Sequence, residues 1–316
     1  MKAPQLVLLH GREKAKQMVP PEQRRLIDIA AEVLGDENQG VGFSYTGFCL
    51  TGLPHKRLPD EQPWEKRGHR VTMLVEPGRM QQTPRSPARL YGVPYGARAR
   101  MILLYLQTQA IRTNSREVEL GRSMRDWLNR MGLALGGETA KALKEQAARI
   151  SACSLKFFWE SDDKNGFRRG GIVSAGLRFS TSDDTCQPSI WEDRVELDEL
   201  FWDMLRKHPV PLREAAIREL RDRSMSLDIY IIWLAYRLHS LSRPTPIGWA
   251  ALSEQFGAGY KQMFHFRAAF REALAPALSA YPEAKMEVED AGLVLHPSPP
   301  PVAALVRPGA RPTTIG

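Results

Sequence analysis

Two stretches of the sequence set cations and hydrogen-bonding side chains opposite an apolar stripe at helical spacing. In residues 139–152 the stripe is Leu143, Ala147 and Ile150, and the other face carries Thr139, Lys141, Lys144, Glu145, Ala148 and Arg149. In residues 261–280 the stripe is Met263, Phe266, Phe270, Ala273 and Ala277. Its other face carries Lys261, Gln262, His265, Ala268 and Arg271, with Arg267 beside it and no acid before Glu272. Lysine and arginine reach phosphates or guanine edges, glutamine and histidine offer hydrogen bonds, and alanine lets a helix lie close to a groove floor. A solvated amphipathic helix also shows a charged face.

The elements that must position these faces follow the same order twice. Residues 97–111 read as a helix with Ile102, Leu103, Leu106 and Ala110 inward, followed by a strand-like piece at 117–120. Ser123 opens a second helix, residues 132–137 break it with glycines, and the helix at 139–152 follows. Leu155, Phe157 and Trp159 alternate as a strand, Asn165-Gly166 marks a hairpin turn, and residues 172–179 return. At the hairpin tip, Lys164, Arg168 and Arg169 suit an adjacent phosphate. In the second half Pro209 and Pro211 precede a helix at 212–222, and residues 227–241 are apolar nearly all round, as in a central buried helix. Thr245 and Pro246 have the types that cap and start the next helix, 247–256. Glycines at 257 and 259 break it, and the helix at 261–280 and a hairpin at 285–296 complete the unit.

Helix, helix, glycine break, helix, hairpin is the order of a winged helix-turn-helix, whose second helix enters the major groove of DNA. The sequence therefore predicts a helix-rich α+β chain with two tandem winged helix-turn-helix domains, at 91–205 and 206–302. Residues 1–90 form an N-terminal extension, in which 22–34 read as a helix and 71–75 as a strand. From Pro297 onward, six prolines and two charges predict a disordered Pro-rich tail, assigned to 303–316.

Composition agrees and removes alternatives. The 316 residues carry a net charge of +8, which fits a polyanionic partner. Three cysteines, Cys49, Cys153 and Cys186, without a C-x-x-C pair, argue against a disulfide framework or zinc finger and for a reducing, cytoplasmic setting. No apolar run approaches the roughly 18 residues of a membrane span, and no export signal is expected. Gly132 to Thr139 nearly spells a phosphate-binding loop, but Glu138 stands where that chemistry needs a lysine. None of the seven histidines lies two to four residues from another, so a metal-dependent nicking site lacks its usual pair. The expectation is a non-enzymatic protein without cofactor or metal. Arg98 and Arg100, at an unfavourable helix N-terminus, read as solvent-exposed.

Several segments carry a family likeness. They are Gly92-Val93-Pro94-Tyr95-Gly96 leading into Ala97-Arg98-Ala99-Arg100, and Glu119-Leu120-Gly121-Arg122-Ser123-Met124. Further on come Lys207-His208-Pro209-Val210-Pro211-Leu212, Pro244-Thr245-Pro246-Ile247, Gln255-Phe256-Gly257-Ala258-Gly259, and Leu295-His296-Pro297-Ser298-Pro299-Pro300-Pro301. As a set, over roughly 20–302, they resemble the plasmid-encoded RepA replication initiators of proteobacteria. The resemblance implies an initiator that binds repeated sequences at a plasmid origin in double-stranded DNA. It also implies host helicase, initiator and chaperones as partners, and a monomer–dimer equilibrium. It supplies no catalytic residues. A winged-helix transcriptional repressor without a replication role is the alternative reading of the same pattern.

Overall fold

The computed structural model describes residues 2–68, 70–81, 86–160, 165–175 and 194–302. Three helices open the chain: α1 (Ala3–His10), α2 (Arg12–Gln17) and α3 (Arg24–Leu34). They are followed by β1 (Val41–Tyr45), α4 (Thr46–Leu50), β2 (Trp64–Gly68), β3 (Val71–Glu76), β4 (Gly78–Met80) and β5 (Arg89–Tyr91). A long helix, α5 (Gly96–Thr113), leads to β6 (Glu117–Glu119), α6 (Met124–Arg130), α7 (Gly137–Ala152), β7 (Ser154–Glu160), β8 (Asn165–Gly170) and β9 (Val173–Ala175). Then come β10 (Arg194–Leu197), α8 (Glu199–Lys207), β11 (Pro209–Arg213), α9 (Glu214–Leu220) and α10 (Ser224–Asp228), which widens into a π-helical segment, Ile229–Ala235. A 3-10 turn (Leu238–Ser240), β12 (Thr245–Gly248), α11 (Trp249–Phe256), α12 (Met263–Ser279), β13 (Met286–Val288) and β14 (Gly292–Leu295) complete it. Helices and small antiparallel sheets thus mix along the whole chain.

α5 is the axis. Every residue from 99 to 108 is buried, not only the inward stripe that periodicity picks out. Its polar side chains serve the backbone of β1, which among the described residues pairs only with β11. The Tyr45 amide donates to Gln107 Oε1 at 2.7 Å and the Phe43 amide to Thr108 Oγ1 at 2.9 Å. These bonds occupy donors that a buried strand edge would otherwise leave unpaired. Tyr45 then meets Phe157 and Phe201 edge-on, which ties the N-terminal region into the core.

β12, β14 and β13 make a three-stranded antiparallel sheet with β14 central, and α11 and α12 lie between β12 and β13 in sequence. Pro246 stands on the edge strand β12, where a missing N–H costs no ladder bond. Phe256, Phe266 and Phe270 are fully or almost fully buried beside Trp249, which meets Phe270 edge-on at 6.0 Å. Gly259, at φ +91°, makes the turn before α12 possible.

In the first half, Ser123 caps α6 by accepting from the Asp126 amide at 3.2 Å. Gly132, at φ +64°, turns the chain toward α7. The β7–β8 hairpin forms in the register Leu155↔Gly170 to Glu160↔Asn165. It joins β2 and β3 in the order β2-β3-β7-β8, while β6 pairs with β10. Residues 1–90 therefore contribute β2 and β3 to the sheet of the β7–β8 hairpin and β4 against α7, and α3 packs against α9 and α12.

Several local expectations change. The segment 227–241 is not one regular buried helix: a π-helical stretch and a 3-10 turn replace its middle and end, and although residues 227–232, 234, 235 and 238 are buried, Arg237, His239 and Ser240 are exposed. Residues 209–213 are a strand, so the helix starts at Glu214. Thr245 lies in β12 and does not cap α11, because pairing with β14 holds the backbone extended through Gly248. The returning strand starts at Asn165 rather than Ile172, and residues 176–179 fall outside the described residues. Residues 297–301 are ordered against the second unit. The Tyr281 hydroxyl donates to the Pro299 carbonyl and Arg213 donates to the Pro301 carbonyl at 2.7 Å. The assigned tail, 303–316, lies outside the described residues.

Candidate nucleic-acid interface

α12 is split as a groove-facing helix requires. Phe266, Phe270, Leu274 and Ala277 turn inward, whereas Lys261, Gln262, Phe264, His265, Ala268 and Arg271 are exposed. Met263, expected in the stripe, is 37% exposed, because the helix begins only there. Among the described residues, none of Lys261, Arg267 and Arg271 has a carboxylate within 4.0 Å. Arg267 and Arg271 instead place their guanidinium carbons 5.4 and 5.1 Å from the centre of the Trp249 ring. One indole thus orients two cations without neutralising them, which keeps their charge available to an anion. The Arg267 Nε is buried without a hydrogen-bond partner among the described residues. The hairpin beyond α12 carries exposed Glu287, Glu289 and Asp290, so the positive charge sits on the helix and not on its wing.

α7 presents Lys141 as exposed and Thr139 and Lys144 as half-buried. Arg149 departs from the expectation that it shares this face. Its side chain is 3% exposed and lies 2.8 Å from Asp60 and 3.1 Å from Glu145. It also donates to the Val93 carbonyl at 3.3 Å and stacks 5.2 Å from the Tyr95 ring. Arg149 is therefore a structural cation, because folding delivers an acid from a remote loop to that side of α7. Lys164 lies outside the described residues. Arg168 and Arg169 are placed only as backbone, opposite Phe157 and Lys156 in the hairpin.

The loop that delivers Asp60 also carries two cations that sequence patterning did not single out. Lys56 is exposed, its Nζ 5.7 Å from the ring centre of Tyr260, just before α12. Arg57 pairs with Asp60 at 3.0 Å and reaches Glu145 on α7 at 3.9 Å. Two adjacent residues thus touch the surroundings of both candidate helices. Burial alone would raise the Asp60 carboxyl, but the hydrogen bond and charge of Arg149, aided by Arg57, hold it below the usual range. The only sequence signal was a Lys-Arg pair in a Pro-rich stretch, without periodicity to place it.

Arg100 fastens this loop. It donates to the carbonyls of Leu53 at 2.7 Å and Pro54 at 3.1 Å, and closes a two-pronged pair with Asp228. His55 lies 3.2 Å from Ser224 Oγ, and burial, with the Arg100 charge, pushes its pKa down to about 4. Lys66, also buried, donates to the Glu254 carbonyl of α11 at 2.7 Å. The expectation that Arg98 and Arg100 are simply solvated is overturned: Arg100 is buried and Arg98 pairs with Asp222 at 2.7 Å. Carboxylates from α10 and the turn before it offset the unfavourable helix end.

Among the described residues no group of three or more His, Cys, Asp or Glu side chains could hold a metal ion. No described helix is long and apolar enough to cross a membrane. Burial pushes the thiols of Cys49 and Cys153 up to about 12, so neither is a ready nucleophile at neutral pH.

Residues 93–248 match the family model described as plasmid encoded RepA protein. The matched segment runs from just before α5 through the end of β12. It contains α7 but neither α12 nor the Lys56–Asp60 loop, a narrower span than the roughly 20–302 of the sequence resemblance. Two crystal structures of domains 2 and 3 of RctB are also similar. One, of selenomethionine derivatives, has 12% identity and a TM-score of 0.46, covering 72% of this chain and 83% of that one. The other has 12% identity and a TM-score of 0.47, covering 76% and 91%. At these scores the likeness carries no conclusion about role. No curated protein matches the chain.

Proposed function

We propose that this chain is a plasmid replication initiator that binds repeated sequences at the plasmid origin in duplex DNA through two winged helix-turn-helix units. The units are residues 91–205 and 206–302, with residues 1–90 as an extension that lends strands to the first, and 303–316 as a tail. The observation that carries the reading is α12. It follows a strand and a helix, precedes a hairpin, and offers an exposed face whose cations pair with no carboxylate among the described residues. The match of residues 93–248 to the plasmid encoded RepA family model supports the replication role.

In this reading α12 lies in the major groove, with Lys261, Gln262 and His265 near base edges and Arg267 and Arg271 toward phosphates. α7 acts likewise through Thr139, Lys141 and Lys144, with Lys164, Arg168 and Arg169 of the hairpin toward an adjacent phosphate. Arg149 leaves this set and becomes a positioning residue. The chain binds without cutting, acts in the cytoplasm, recruits the host helicase, initiator and chaperones, and exchanges between monomer and dimer.

Footprinting on DNA of the parent replicon tests the reading. Tandem protected repeats near the gene are expected, with affinity falling by roughly 10³-fold or more between 50 and 200 mM salt if six or more phosphates are contacted. Absence of protected repeats would sink it, and nicking of supercoiled origin DNA in magnesium would overturn its non-enzymatic part.

A further inference from the structure

Phe264 is the most exposed aromatic side chain among the large apolar residues of α12, at 62%, on the first turn of the helix. It lies on the same face as Lys261, His265, Ala268 and Arg271, at helical spacing. The His265 ring packs on it at 3.8 Å between centres, tilted by 36°, which restrains where the phenyl group can go. One turn further along that face stands Ala268, small enough for the helix backbone to approach a surface closely. An apolar ring held out at the start of a helix, among cations without acidic partners, has a specific use.

We infer that Phe264 is a specificity-determining residue that packs on the C5-methyl group of thymine in the major groove. The inference deepens the DNA-binding reading above and rests on it. The N-terminal residues of a groove-entering helix approach base edges most closely. A phenyl ring can neither donate nor accept the hydrogen bonds that distinguish the other edges, and the thymine methyl is the apolar group the groove displays. The surrounding charge favours a polyanion over an apolar protein surface, since Lys261 and Arg271 bracket the ring and the first acid on the helix is Glu272. His265, beside its own approach to base edges, holds the orientation of the ring.

The test is a binding cycle on the footprinted origin segment, made with thymidine or with deoxyuridine, which lacks only the methyl group. Wild type binds the deoxyuridine duplex more weakly, by about fourfold for each methyl contacted. Phe264→Ala binds the thymidine duplex about as weakly and no longer distinguishes the two. Phe264→Leu, which keeps an apolar contact, retains part of the difference and controls for any folding defect of the alanine variant. Equal wild-type affinity for the two duplexes overturns the inference. So does a thymidine-to-deoxyuridine ratio unchanged in Phe264→Ala, the result expected if the ring meets a protein partner. Either result leaves the DNA-binding reading standing, whereas a wild type that protects no DNA removes both.

Discussion

Arg100 and Asp228, 128 positions apart in sequence, close a two-pronged ion pair with both N···O distances at 2.6 Å, and both residues are buried. The remaining guanidinium donors go to the carbonyls of Leu53, Pro54 and Gly96, so the pair joins α5, α10 and the loop bearing Lys56 and Arg57. Removing one member strands the other's charge in the interior. Arg100→Ala or Asp228→Ala is expected to cost about 3–5 kcal/mol in urea unfolding. The double replacement Arg100→Met with Asp228→Leu should cost clearly less than the sum of the single changes. Equal costs for the single and conservative double variants would show that packing, not charge pairing, holds this joint.

His55 gives the same joint a pH dependence. Burial first, then the Arg100 charge, lowers its pKa to about 4 against the opposing Asp228, so the folded protein keeps it neutral where the unfolded chain protonates it. Between about pH 6.5 and 4 the unfolded state binds the extra proton, so stability falls as pH falls through that window. The full effect is roughly 3 kcal/mol. Denaturant midpoints measured from pH 7 to 5 should decline, and His55→Gln should flatten the decline. An identical slope in that variant would assign the acid sensitivity to other groups.

Arg271 and Arg149 should behave as opposites although both were read as groove-facing. Arg271→Ala is expected to weaken DNA binding with little change in thermal stability, because the side chain is exposed and loses only its place over Trp249. Lys261→Ala should do the same. Arg149→Ala should destabilise the fold by about 1–3 kcal/mol, through the loss of a buried guanidinium and its charge-assisted bonds to half-buried Asp60 and Glu145. Melting curves beside binding isotherms separate the two cases.

Phe266 anchors the face opposite Arg271 and is fully buried. Phe266→Ala is expected to destabilise the second unit by about 3–5 kcal/mol, by lost transfer energy and the cavity left among Tyr260 and Phe270. A near-neutral unfolding midpoint would mean that the site collapses around the missing ring.

Lys56 tests whether the loop between the two helices takes part. Lys56→Ala should leave unfolding unchanged and lower the slope of log affinity against log salt by about 0.9, the signature of one lost phosphate contact. An unchanged slope would leave Lys56 as a solvated neighbour of Tyr260.

The helices and their faces were legible in the sequence because each depends on residues within a turn or two. Leu143, Ala147 and Ile150 are buried as their spacing predicts, and so are Phe266, Phe270 and Ala277. The hairpin after α7 follows from alternation, but Asn165 and Gly166, expected in its turn, lie in β8 opposite Glu160 and Trp159, because strand pairing extends through them. Local signals failed where pairing partners come from afar. Thr245 has the type of a helix cap, yet β14 claims it for a strand.

What the sequence determined by itself was the helices α5, α6, α7, α11 and α12 to within a few residues, the apolar stripe of each DNA-reading candidate, and the basic balance of the whole chain. Tertiary structure alone decided which cations remain free. Arg149 and Lys141 have the same sign and share a helix, but Asp60, 89 residues before Arg149, pairs with Arg149 and not with Lys141. Periodicity reports which way a side chain turns from its own helix axis. Whether a charge is then neutralised depends on what the rest of the chain folds against it, and no local spacing carries that information.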